Sequence, residues 1–322
     1  TVCLEDYLEV RPEQEERLRH LIEAGRIAVG PWYVLPDLQC IGQESILRNL
    51  SRGLALAQRF GGEVVSCDSM QIYKHLNIGT AKPSKEEMQG VRHHMIDIAE
   101  PYEKFSVERF CAMANECISD ILSRGKLPIL VGGTGLYVDS FVNGAEFCEQ
   151  KSDIKYRKEL ENIVKNNGAE YLHKMLEKAD KKSAEKIHTN NVKRVIRALE
   201  IIKNTGMTKT AADGIAKKEQ LYDAEIIGLF MDRERLYERI NKRVDIMMQS
   251  GLLDETKKLL GLGVPRTSTA MQAIGYKELL LYLDGNLTLD EAVEKIKQES
   301  RRYAKRQMTW FRRNTEINWI EV

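Results

Sequence analysis

Cysteine is sparse and unpatterned in this 322-residue chain. Cys3, Cys40, Cys67, Cys111, Cys117 and Cys148 form no C-x-x-C pair and share no zinc-ligand spacing with the histidines. That argues against a disulfide scaffold or a zinc centre and for reduced, packed thiols. Long apolar runs are missing too: none reaches the roughly 20 residues that a membrane-spanning helix needs. The opening stretch, TVCLEDYLEVRPEQEERLRH, lacks the basic end and apolar segment of a secretory signal, so the expected compartment is the cytoplasm, with no membrane. Neither sign of charge dominates, since 49 basic and 48 acidic residues leave a formal net charge of +1. Repeats and low-complexity tracts are absent.

What is present is a globular composition, 43% hydrophobic and 30% charged, in a chain long enough for one large domain or a core with a smaller companion. The first half alternates strand and helix patterns. RIAVGPWYVL (26–35) reads as a strand, ESILRNLSRGLALAQRF (44–60) as an amphipathic helix, and EVVSCD (63–68) as a short buried strand. SVERFCAMANECISDILSRG (106–125) carries helical spacing, with Ser106 as its N-cap and Gly125 past its end. LPILVGGTGLYV (127–138) is a buried strand running into a glycine turn and another helix. This alternation predicts a parallel sheet covered on both faces. From about 150 onward Lys- and Glu-rich helical stretches dominate, with AEIIGLFM (224–231) as the main strand signal.

Two short motifs stand at strand ends. Asp68, in SCDSMQIY, follows an apolar strand, where parallel-sheet enzymes place catalytic groups and where a turn aspartate would also sit. The GGTGLY turn (132–137) opens a helix, so its N–H groups suit an anion and Thr134 adds a hydroxyl; two glycines also serve simply to turn the chain.

Seven blocks occur in order: DSMQIYKHLNIGTAKP, HHMIDI, GKLPILVGGTGLYV, NNVKRVIRALEI, LYERINKRVDIMM, TAMQAIGYKE and RRYAKRQMTWFRR. Together they resemble the tRNA dimethylallyltransferase (isopentenyltransferase) family from about Gly61 to the C-terminus. The resemblance implies an α/β fold: a P-loop-NTPase-like, nucleotide-binding parallel sheet core with a helical insertion and a helical C-terminal region. It implies transfer of a dimethylallyl group from dimethylallyl diphosphate to N6 of an adenosine beside the tRNA anticodon, with Mg²⁺. Asp68 matches the family aspartate beside the target amine, and Ser69, Met70 and Gln71 would frame the base. Thr134 matches the supporting threonine. Arg239 and Arg243 would neutralise the departing diphosphate, or else belong to a solvated helix face. Matching tRNA-contact positions are Arg157, Lys193, Arg194, Arg197, Gln272, Gly275, Tyr276, Lys277, Lys305, Arg306, Gln307, Trp310 and Arg312. Composition alone reads RRYAKRQMTWFRR as an amphipathic helix with its aromatics in the core; the resemblance assigns it to the anticodon stem-loop. The protein is expected to act as a monomer.

One family element is missing. The G-x-x-x-x-G-K-[ST] phosphate loop should fall at about 43–51, where the chain reads QESILRNLS, with no glycine and no lysine. Residues 1–60 instead resemble a fragment of an α-mannosidase-type glycoside hydrolase, in which Asp37 alone cannot supply paired carboxylates. The chain therefore reads as a chimera: a foreign segment (1–60), an α/β core (61–150), a tRNA-contacting helical insertion (151–220), and a return to the core with C-terminal tRNA-binding helices (221–322). The alternative to an active transferase is a catalytically impaired tRNA-binding remnant.

Overall fold

The structure is a computed structural model, and it describes residues 61–144, 153–208, 222 and 224–321, together with the backbone of 27–31. The expected helix over 44–60 and the phosphate-loop position at 43–51 lie outside the described residues. So does most of the foreign-looking segment. Among the described residues, those up to Phe141 and from Tyr222 onward form one compact unit, and those from Val142 to 208 form a second.

The first unit is built on a parallel sheet. In chain order its strands are β1 (Ile27–Pro31), β2 (Glu63–Ser66), β3 (His93–His94), β4 (Pro128–Gly132), β5 (Ala224–Phe230) and β6 (Asn318–Glu321), and their spatial order is β3-β2-β4-β1-β5-β6. Every pairing is parallel; β1 lies between β4 and β5, with Ala28 opposite Ile129 and Glu225. All of β2 is buried, as is β4 apart from Val131, which explains why EVV and PILV read as unbroken apolar runs instead of alternating patterns. β2 and β4 are direct neighbours with Glu63 opposite Pro128 and Ser66 opposite Val131. Their C-terminal ends therefore deliver Asp68 and the glycine turn to the same edge of the sheet.

Helix α1 (Val107–Ser123) starts as its sequence predicts, with the Ser106 hydroxyl accepting from the Arg109 N–H at 3.1 Å. Phe110, Cys111, Ala114, Ile118 and Ile121 form its buried stripe. At the opposite end of β2, the Glu63 carboxylate is only 3% exposed and accepts from Arg124 (2.8 Å) and Lys126 (2.7 Å), with His94 Nε2 also at 2.7 Å. The Arg124 guanidinium and these neighbours hold its carboxyl well below the usual range, against the opposing effect of burial.

After β4 come α2 (Gly135–Val142) and the second unit, made of α3 (Ile154–Ala179), α4 (Lys181–Lys186) and α5 (Val192–Thr205). Leu160, Leu172, Leu176, Val195, Ile196 and Leu199 supply its core. α3 is interrupted at Gly168, whose φ of 83° and ψ of 168° only glycine adopts without strain. The chain then returns through β5 to α6 (Arg233–Gln249), α7 (Leu252–Gly261), a 3₁₀ turn (Ala270–Gln272), α8 (Tyr276–Leu283) and α9 (Leu289–Phe311). Ile72, Tyr73 and Leu76 of the loop after β2 share one apolar cluster with Val244, Met247, Leu252, Tyr276, Leu279 and Ile296 from these helices. That packing fixes the loop after β2 against the C-terminal helices.

Candidate active site

The loop leaving β2 organises itself around Asp68. Its Oδ1 accepts from the N–H groups of Met70 (2.7 Å) and Gln71 (3.2 Å), and the residue is 7% exposed. Burial pushes its carboxyl above the ordinary range; the two N–H donors and the charge of Arg243 act the other way. Ser69 is tied to the glycine turn, because its N–H donates to Thr134 Oγ1 at 3.0 Å while that hydroxyl lies 3.2 Å from Ser69 Oγ. Thr134, far away in sequence, is thus tied to the Asp68 loop through Ser69, although its side chain does not line the cavity. Cys67, beside them, is a free buried thiol, pushed up by desolvation and so a poor nucleophile.

Gln71 faces inward. Its amide nitrogen donates to the carbonyls of Thr80 and Ala81, both at 3.3 Å, and its Oε1 accepts from Ser66 Oγ at 3.2 Å. With both ends of the amide engaged, it braces the loop from within. The IGTAK turn is held by Glu255 of α7, which the sequence reading missed: its carboxylate accepts from the N–H groups of Asn77 (2.9 Å), Ile78 (3.0 Å) and Gly79 (3.2 Å) and from the Tyr276 hydroxyl (2.6 Å). Nothing in LLDETKKLL singles it out. Tyr276 was expected to touch tRNA, but it has no exposed surface. Its ring lies so close to Gly79 that an added Cβ would come within 2.6 Å of it. Tyr276 therefore supports the turn from inside the protein.

A cavity of about 360 Å³ opens in front of Asp68. Ser69, Met70, Gly79 and Thr80 form one wall, Ile240, Val244, Met247, Leu252, Ile274 and Ile296 an apolar one, and Arg243, Lys277 and Arg306 bring positive charge. Gln272, Gly275 and Gln307 also line it. Arg239, one turn before Arg243, is not part of the lining and reaches Met231 Sδ at 3.6 Å. Tyr303, its hydroxyl pushed up to about 12 by burial, closes the side nearest the glycine turn. Lys305 on α9 and Arg312 just past its end stand exposed, outside the cavity. Among the described residues no group of three His, Cys, Asp or Glu side chains is placed to hold a metal ion.

In the second unit Lys193 and Arg194 are exposed at the start of α5. Arg157 and Arg197 both turn to Glu200, at 2.6 and 3.5 Å, a carboxylate with no exposed surface.

The sequence pattern of the family described as IPP transferase matches residues 71–314. The chain belongs to the IPP transferase family. Among curated relatives, the tRNA dimethylallyltransferase of Acetivibrio thermocellus is 50% identical over 268 residues, covering 83% of this chain and 86% of the relative. That of Bacillus subtilis is 50% identical over 274 residues, covering 85% and 86%. Among solved structures, the full-length tRNA isopentenylpyrophosphate transferase of Bacillus halodurans is 46% identical with a TM-score of 0.64, covering 92% of this chain and 89% of that one. A eukaryotic dimethylallyltransferase acting on tRNA gives a TM-score of 0.74 at 29% identity, covering 92% and 73%. The IPP transferase match begins inside the Asp68 loop and runs through α9, so all of the cavity lining except Asp68, Ser69 and Met70 falls within it.

Proposed function

We propose that this chain transfers a dimethylallyl group from dimethylallyl diphosphate to N6 of an adenosine next to the tRNA anticodon, as a cytoplasmic monomer. The observation that carries the reading is the buried carboxylate of Asp68 at a cavity with one apolar wall and three cationic side chains. An exocyclic amine conjugated with its ring is a weak nucleophile. As N6 forms its bond to the allylic carbon, the C–O bond to diphosphate breaks and the diphosphate leaves with the electron pair. The N6 proton passes to Asp68. A carboxylate raised above its usual pKa is a stronger base, and such assistance contributes on the order of 10²–10⁴ in rate. The apolar wall suits the five-carbon chain. Arg243 neutralises charge on the departing diphosphate, with Arg239 behind it, and Thr134 supports the reacting groups. To reach Asp68 the adenine must leave its stack, as bases do in enzymes that act on them. Lys277, Arg306 and Gln272 stand at the cavity to receive the nucleotide. Lys305 and Arg312, with Lys193, Arg194, Arg157 and Arg197 of the second unit, serve the stem-loop phosphates.

Mg²⁺ fits this site as a partner of the diphosphate. It keeps several waters and needs few protein ligands when phosphate oxygens supply the rest, which agrees with the absence of a three-residue cluster among the described residues. Bound there it would screen the leaving group; Asp68 is the cavity carboxylate nearest to hand. We assign the core to the P-loop class, with 61–150 and 221–322 forming it, 151–220 as the tRNA-contacting insertion, and 1–60 as a foreign, glycoside-hydrolase-like segment.

The composition of QESILRNLS at 43–51 supports the second reading, an impaired tRNA-binding remnant: without glycine or lysine it cannot form a nest of phosphate-binding N–H groups. The two readings separate in one assay. The purified chain is given dimethylallyl diphosphate, Mg²⁺ and an anticodon stem-loop, and prenylated adenosine is sought by mass spectrometry. Product supports the transferase; stem-loop binding without product supports the remnant. A variant with G-x-x-x-x-G-K-[ST] restored over about 43–51 is expected to raise activity by orders of magnitude, since anion-stabilising donors contribute about 10²–10³ each.

A further inference from the structure

Helix α9 touches the glycine turn with one face and presents cations with the other. On the inner face, Gln307 Nε2 donates to the Gly133 carbonyl at 2.7 Å, and Gln307 is 8% exposed. One turn on, the Trp310 indole lies over Gly135 so closely that a Cβ there would come within 2.4 Å of the ring. Its Nε1–H donates to Asp139 Oδ2 on α2 at 2.6 Å, and the Arg313 guanidinium covers the ring at 4.2 Å. Tyr303 completes the face, with its hydroxyl 3.5 Å from the Gly133 carbonyl. The outer face carries Arg302 and Lys305, with Arg312 just past the helix end, all exposed.

We infer that Asp139 and Trp310 are positioning residues: they clasp the Gly133–Gly135 turn and so set Thr134, which in turn fixes Ser69 beside Asp68. The inference rests on the transferase reading for its catalytic consequence only. An indole packed on Gly135, covered by Arg313 and hydrogen-bonded at its nitrogen is already committed within the protein, so it has little left to offer an RNA base. Burial pushes the Asp139 carboxyl up, while the Trp310 indole and the Arg313 guanidinium beside it favour the acceptor form. Because the same helix bears the outward cations, a tRNA held by that face would tighten the turn through the inner one.

The test compares Trp310→Phe, Asp139→Ala and Asp139→Asn with the full chain. Hydrogen exchange is followed in the peptide that contains residues 132–137, alongside stem-loop affinity and the split between kcat and KM. Trp310→Phe and Asp139→Ala are expected to speed exchange in the turn and lower kcat, each about 10-fold, the equivalent of one lost hydrogen bond. Stem-loop affinity should stay the same. Asp139→Asn keeps an acceptor oxygen and should behave like the unmodified chain. Bound stem-loop should slow exchange of the turn in the unmodified chain and lose that effect in Trp310→Phe. Unchanged exchange in Trp310→Phe and Asp139→Ala would overturn the clasp, and so would weakened stem-loop binding with kcat intact, which would make Trp310 a base contact. If the chain proves inactive, the transferase reading fails while the exchange measurements still decide the clasp.

Discussion

Between Asp68 and Lys82 the side chains of Asp68, Gln71, Thr80 and Lys82 turn inward, whereas in the unit from Val142 to 208 most polar side chains turn outward. In the loop, Asp68 and Gln71 bond to its own backbone, Thr80 Oγ1 donates to the Leu76 carbonyl at 2.6 Å, and Lys82 Nζ donates to the Tyr73 carbonyl at 2.9 Å. His75 and Ala81 take positive φ values of 68° and 46° there, uncommon for residues other than glycine. The helices of the second unit satisfy their own backbone and leave most side chains available, with Glu200, the buried Asp180–Ser183 pair and His173 as exceptions. The contrast teaches where precision is needed. A loop without regular backbone pairing is held by side chains, so one side chain lost there moves the site, while a helical surface loses charges one at a time.

The comparison breaks most visibly at Asp68. Asp68→Asn removes the proton acceptor and is expected to lower kcat by about 10²–10⁴ with stem-loop affinity unchanged, measured by single-turnover transfer beside equilibrium binding. At Glu200 the second unit behaves like the loop. Glu200→Ala leaves two arginines facing each other, and since they are half-exposed and can rehydrate, the expected loss is about 2–3 kcal/mol of stability, read from denaturant unfolding. The sharper prediction is that kcat per folded molecule does not change.

Glu255→Gln sharpens the comparison from the other side. One amide oxygen replaces a carboxylate that accepts three N–H groups and a hydroxyl, so the IGTAK turn loosens and kcat should fall about 10-fold, visible in steady-state kinetics. Smallest is the effect at exposed cations: Arg312→Ala or Lys193→Ala should each lower the slope of log affinity against log salt by roughly one, in a salt titration of stem-loop binding.

How much of this was legible depended on how far apart the interacting residues lie. The expected strand at 63–68 is Glu63–Ser66, and LPILVGGTGLYV resolves into the strand Pro128–Gly132, a turn and a helix from Gly135, because both signals are local runs and punctuation. Ser106 caps α1 for the same reason. Asp68 was visible as an aspartate at a strand end. The supports around it were not. Glu255 meets the IGTAK turn, and Asp139 meets Trp310, only after the chain has folded, and neither pair leaves a local pattern. The block RRYAKRQMTWFRR shows the limit from within one helix. Its aromatics and cations are obvious, and the i, i+4, i+7 spacing puts Tyr303, Gln307 and Trp310 on one face; that this face meets the glycine turn is seen only in the structure. The expectation that Tyr276 and Lys277 both contact tRNA fails for the first, because Lys277 reaches the cavity while the adjacent tyrosine is fully buried.

The central claim is that Asp68 takes the proton from the acceptor amine, and the pH dependence of single-turnover transfer tests it most directly. The base must be ionised to work. Burial holds its pKa above the usual carboxylate value, so activity should fall on acidification at a pH higher than the value near 4 of an ordinary aspartate. Residual activity in Asp68→Asn should lack that acidic limb while the stem-loop binds as before. An acidic limb that survives unchanged in Asp68→Asn, or equal losses of rate and affinity in that variant, would contradict the account and make Asp68 a residue that organises the loop without accepting the proton.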